Sequence, residues 1–115
     1  MIQIVKDADT RPWFFLQTAR TTYGMRVMET GHLEHLYYGE RITVDSQDPA
    51  SCAPLVIQRA FAPGNTCTYD REHPQISMED VCLEVGTLGK GDIREPFLEV
   101  RFADGSVTSD FTFDS

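Results

Sequence analysis

Apolar and polar residues alternate along several short stretches of this chain. Turn residues separate them about every 8–12 positions, the rhythm of an all-β protein. Residues 13–19 read as an aromatic, apolar strand. Residues 21–28 read as its neighbour, with Tyr23, Met25 and Val27 on one face. Gly31 marks the next turn. Residues 33–38 form a third strand closed by Gly39, with 41–44 as a candidate continuation. Residues 45–54 have a loop composition, and 55–57 are a short apolar run. A second irregular stretch, 62–75, holds Pro63, Gly64, Asn65 and Pro74. Ser77 followed by Asp80 resembles a helix start, so one short helical turn is expected near 76–85.

The last third carries the clearest pattern. Gly86, Gly89 and Gly91 stud a loop that runs into Asp92-Ile93-Arg94-Glu95-Pro96. Leu98, Val100 and Phe102 then alternate with Glu99 and Arg101, and Asp104-Gly105 is a two-residue type I′ turn signal. A hairpin of 97–103 with 106–113 follows. It should bury Val100, Phe102, Phe111 and Phe113 and expose Glu99, Arg101, Thr108 and Thr112. The fold class is all-β, in a single domain over residues 1–115.

Charge and length narrow the function. The chain has 115 residues, 41% of them apolar, and a net charge of −8. Nucleic-acid binders need a basic footprint, which is missing, and anionic membrane surfaces are disfavoured for the same reason. The sequence holds no transmembrane run and no secretory pattern at Met1-Ile2-Gln3-Ile4-Val5-Lys6. Cys52, Cys67 and Cys82 are odd in number and widely spaced, which fits a reducing, cytoplasmic setting better than a disulfide framework.

Catalytic constellations do not emerge. Among 18 acidic residues no spacing singles out a glycosidase-type carboxylate pair, so no catalytic residue is assigned. His32 and His35 lie three apart on an expected strand and would point to opposite faces, as ordinary surface or half-buried side chains. His73 precedes Pro74, and Cys-x-x-Cys does not occur, so neither a metal site nor a cofactor is expected. The Gly loop lacks Gly-Lys-Ser/Thr and leads into a strand, so it reads as turn geometry rather than a phosphate cradle. Trp13, Phe14, Phe15, Tyr23, Tyr37 and Tyr38 read as sandwich core before sugar platforms. Arg94 reads as a structural clamp on Asp92 or Glu84.

An ordered set of short motifs then adds a family. Phe15-Leu16-Gln17, Thr22-Tyr23, Gly31-His32-Leu33, His35-Leu36-Tyr37 and Gly39 come first. Arg59-Ala60-Phe61, Pro63, Ser77, Glu84, Gly89, Gly91 to Pro96, Asp104-Gly105-Ser106 and Asp110-Phe111 follow. Over residues 14–113 this order resembles the N-terminal domain of bacterial α-galactosidases of glycoside hydrolase family 36. The chain departs from the family pattern at Val85-Gly86, at Leu88 and at Gln58.

The resemblance implies an all-β fold, a twisted antiparallel β-sandwich that is itself non-catalytic and stands in front of a catalytic (β/α)₈ barrel. Such a barrel needs about 250 residues, so the fragment alone should be inactive. It implies a retaining parent enzyme acting on terminal α-galactosides of the raffinose or melibiose type. The domain would brace the barrel, help assemble a homo-tetramer and wall the pocket of a neighbouring subunit, so contact with the α-galactoside is indirect. The segment matching the family's wall-forming loop is 57–75. By the resemblance it would bring Arg71, and with it Gln58, to substrate in the assembled parent; the plainer reading of Arg71 is a solvated arginine beside Asp70 and Glu72. The alternative function is a free-standing carbohydrate-binding β-sandwich.

Overall fold

The computed structural model describes residues 1–56, 69–77, 81–88, 91–92 and 96–115, with 91–92 as backbone only. Strands β1 (Ile2–Lys6), β2 (Pro12–Gln17), β3 (Thr21–Val27) and β4 (Leu33–Glu40) form an antiparallel meander in the order β1-β2-β3-β4. Three tight turns connect them. In the first, the Asp7 carboxylate accepts the N–H groups of Asp9 and Arg11 at 2.9 Å each. In the second, Thr18 Oγ1 accepts from Arg20 and Thr21 N–H. In the third, Gly31 takes φ +88°, a left-handed conformation that suits glycine, and Met28 N–H reaches His32 O at 2.8 Å.

Register assigns the faces. Val5 pairs with Trp13, Trp13 with Arg26, and Phe15 with Gly24, so these side chains share one face. Val5, Trp13 and Phe15 are buried there with Cys52, and Leu36, Val44, Leu55 and Val56 pack against them. Gly24 makes room for Phe15, because a Cβ at Gly24 would lie 3.0 Å from Phe15 Cε1. A register shift between Gly24 and Met25 falls opposite Leu36, the extra residue of β4. Gln17 and Gln3 donate to the carbonyls of Ile42 and Val44 at 3.0 and 2.8 Å, tying the chain after β4 over this core.

The other face carries Ile2, Ile4, Phe14, Leu16, Tyr23, Met25, Val27, Leu33, His35 and Tyr38 by the same parity. Ile2, Ile4, Leu16 and Tyr38 are exposed on it. Its rim is partly covered by Phe113, whose ring lies 5.7 Å from that of Phe14.

Several expectations need correction. The sheet has one strand, β1, beyond those the pattern predicts. A 3₁₀ helix forms at Pro49–Leu55, where the composition predicts loop. Asp48 caps it through Ala50 N–H, with Pro49 in the first turn, a signal that the loop-like composition hid. The described residues of 76–85 are not helical, and 78–80 lie outside the described set. Residues 41–44 are not strand.

The closing turn forms, but differently. Phe102 N–H bonds Ser106 O at 2.9 Å, Gly105 N–H bonds Phe102 O at 3.0 Å, and only Gly105 takes a positive φ, +87°. That is a three-residue loop ending in a left-handed glycine, not type I′. No ladder runs from 97–103 to 107–113, and Phe102, Phe111 and Phe113 are exposed while Ser109 is buried. The reason is that residues 109–113 pair with the sheet's periphery instead. Phe113 N–H bonds Gly31 O at 2.7 Å, and Thr87 Oγ1 donates to Ser109 O at 2.5 Å. Two short parallel strands, β5 (Thr87–Leu88) and β6 (Gly91–Asp92), complete the described elements.

Candidate functional site

Two groups of polar side chains stand at the margins of the sheet. The first is built on the β3–β4 turn. His32 follows the left-handed Gly31 and is only 2% exposed. Its Nδ1 lies 2.8 Å from Thr30 Oγ1, and its Nε2 lies 2.5 Å from Asp110 Oδ1. A carboxylate only accepts, so Nε2 is the donor. The Tyr69 hydroxyl donates to the other Asp110 oxygen at 2.6 Å, and the Tyr69 ring stands edge-on to His32 at 4.9 Å. The hydrogen bond to Asp110, aided by burial, pushes the Tyr69 phenol up to about 12.

The second group links β3, β4 and residue 84. Glu84 N–H bonds Leu33 O at 2.9 Å, which brings its side chain to the sheet. The Tyr23 hydroxyl sits 2.7 and 2.6 Å from the two Glu84 oxygens. His35 Nδ1 lies 3.2 Å from Glu84 Oε1. Burial first, and then the Glu84 carboxylate, push the Tyr23 phenol up to about 12. The rings of His35 and Tyr38 pack against Tyr23 at 5.0 and 5.9 Å.

Between the turns lies a cavity of about 250 Å³ lined by Asp7, Arg11, Arg26, Val27, Met28, Glu29 and Ile76. Its charges are largely paired. Arg11 bridges Asp7 and Asp9, and Arg26 Nε bonds the buried Glu34 at 2.7 Å while its guanidinium lies over the Trp13 ring.

Arg71 is exposed, on a short loop at 69–76. Gln58 lies outside the described residues, as does Arg94. His32 and His35 do engage separate carboxylates, but His32 is a buried turn residue rather than a half-buried strand residue. Sequence reasoning missed Asp110, Tyr69 and Glu84 as partners, because they sit 78, 37 and 49 or more positions from the residues they meet. Among the described residues no group of three or more His, Cys, Asp or Glu could hold a metal ion, and no helix is long and apolar enough to cross a membrane.

Comparison with known proteins is informative. Residues 31–115 match the family model described as the glycosyl hydrolase family 36 N-terminal domain. The chain is 33% identical over 103 residues to the bifunctional alpha-galactosidase/sucrose kinase AgaSK of Mediterraneibacter gnavus, covering 89% of this chain and 10% of that protein. It is 29% identical over 100 residues to the alpha-galactosidase AgaA of Geobacillus stearothermophilus, covering 87% of this chain and 13% of that protein. The crystal structure of the alpha-galactosidase from Lactobacillus brevis superposes with a TM-score of 0.75 at 32% identity, over 96% of this chain and 14% of that one. The chain thus spans about a tenth of the length of the curated relatives it matches. The chain, mostly strand in an antiparallel sheet with one short helix, is consistent with the all-β sandwich class expected from the sequence.

Proposed function

The chain belongs to the family of glycosyl hydrolase family 36 N-terminal domains, and from that premise we propose that residues 1–115 are one truncated, non-catalytic β-sandwich domain of a retaining α-galactosidase. The parent would hydrolyse terminal α-galactosides of the raffinose or melibiose type. This domain would support the (β/α)₈ barrel, contribute to a cytoplasmic homo-tetramer and help wall the active site of a neighbouring subunit. The observation that carries the reading is the family match over 31–115, joined to relatives that are themselves alpha-galactosidases.

Arg71 is the residue through which a wall role would act. It stands exposed between the charged neighbours Asp70 and Glu72, and a guanidinium can donate several hydrogen bonds to sugar hydroxyls or to a partner carboxylate. The test uses the longer polypeptide that carries this chain. It should hydrolyse p-nitrophenyl α-galactoside and raffinose, whereas residues 1–115 alone should show no turnover. Arg71→Ala should raise KM and leave the fold intact. If KM, kcat and oligomeric state all stay at wild-type values, Arg71 is a solvated surface arginine and the wall role falls.

A further inference from the structure

The loop that carries Arg71 is braced internally. Tyr69 N–H bonds Ile76 O at 2.8 Å and Ile76 N–H bonds His73 O at 3.2 Å, which closes the loop at its base. Asp70 Oδ1 accepts both His73 N–H at 2.7 Å and His73 Nδ1 at 2.8 Å, which braces its interior. The Tyr69 ring also packs on His73, at 6.1 Å. A loop built this way moves as a unit. Where it stands relative to the sheet depends on its outward contacts.

Two such contacts stand out, one at each end of the loop. Ile76 lines the cavity beside Val27 and Met28. That contact is apolar and non-directional. The other is Tyr69, which is directional: its hydroxyl is 2.6 Å from Asp110 Oδ2, and Asp110 in turn is held by the buried His32. His32 belongs to the turn that also accepts Phe113 N–H at Gly31 O and packs Thr112 against Gly31. One carboxylate thus joins three separate stretches of chain: the β3–β4 turn, the 69–76 loop and the 109–113 segment.

We propose that the His32–Asp110–Tyr69 chain is a positioning latch that sets where the Arg71 loop stands on the sheet. Its consequence for substrate rests on the reading of Arg71 given above; the latch itself rests on the geometry alone. Tyr69, Asp110 and His32 are positioning residues, since they act through the loop. Charge-assisted hydrogen bonds hold more firmly than neutral ones. Loss of one to a charged group weakens local closure by about 10- to 100-fold.

The test compares wild type, Tyr69→Phe and Asp110→Asn in the polypeptide that carries this chain. The first variant keeps the ring against His32 and removes only the hydroxyl. The second keeps the side-chain size and removes the charge. Amide exchange over 70–76 and trypsin cleavage after Arg71 should rise about 10- to 100-fold in both, with β1–β4 amides unchanged. KM for a short α-galactoside should rise with kcat preserved. Unchanged exchange in both variants overturns the latch. So does loss of protection across the whole sheet in both, because a latch on a loop leaves the sheet standing. If exchange rises and Arg71→Ala leaves KM unchanged, the latch stands and the substrate role of Arg71 falls. If Arg71→Ala raises KM but neither latch variant does, the latch does not position Arg71 and the proposal fails.

Discussion

Gly24→Ala isolates a single packing contact in the core. Gly24 sits mid-strand with no positive φ, so alanine meets no backbone strain there. On backbone grounds alone the change should stabilise by about 0.4–1 kcal/mol, because alanine restricts the unfolded chain. Packing opposes this. A Cβ at this position would lie 3.0 Å from Phe15 Cε1 and 3.2 Å from Cδ1, and Phe15 is completely buried. The ring cannot swing into solvent, so it must shift against Val5, Trp13 and Cys52. Overpacking of a filled core costs about 1–3 kcal/mol, which leaves a net loss of about 1–2 kcal/mol. Trp13, the chain's one tryptophan and buried in the same cluster, reports unfolding by fluorescence. The urea midpoint should fall by about 1 M. Phe15→Leu supplies the control: combined with Gly24→Ala it should cost at least about 0.5 kcal/mol less than the sum of the single changes, the coupling expected of residues in contact. A neutral or stabilising Gly24→Ala, or an additive cycle, would refute the argument that Gly24 exists to seat the Phe15 ring.

Alkaline titration tests the two tyrosine–carboxylate pairs. Tyr23 and Tyr69 are both raised from 10.0 to about 12 in the folded chain, so their contribution to stability is complete below pH 10 and is lost as pH rises through about 12. Absorbance at 295 nm should show part of the tyrosine ionisation delayed to about pH 12, and Tyr69→Phe should remove a share of it; ionisation of every tyrosine together near pH 10 would contradict both pairs. Gly31→Ala should destabilise by at least about 1–2 kcal/mol, since φ +88° is left-handed and the new Cβ would meet Thr112 Cβ at 3.1 Å. Denaturant titration with unchanged midpoint would show that the turn relaxes freely.

The sheet was legible where alternation coincided with turn residues. Residues 13–17, 21–27 and 33–38 fall in strands because their apolar and aromatic runs are separated by the turns at Thr18-Ala19-Arg20 and at Gly31. β1 escaped because Met1 to Lys6 is short and its alternating Ile2 and Ile4 face outward, which leaves Val5 as its one apolar residue in the core. The Phe102, Phe111 and Phe113 assignment failed because period-two spacing fixes only which residues share a face. It does not supply a second layer to cover that face. The latch was the least legible part. His32 and Tyr69 each look ordinary in sequence, and only the fold brings Asp110 between them.

The meander has a consequence in time. Within the meander each strand pairs with its neighbour in sequence, so the ladder contacts among residues 2–40 are local and can form early in synthesis. Asp110 follows His32 by 78 residues, a delay of about 4–16 s at typical translation rates. For that interval the sheet can exist while His32 lacks its carboxylate and the Phe14 ring lacks Phe113. Assembly is therefore ordered: the sheet is the template, and the segments that finish it are recruited onto a surface already in place.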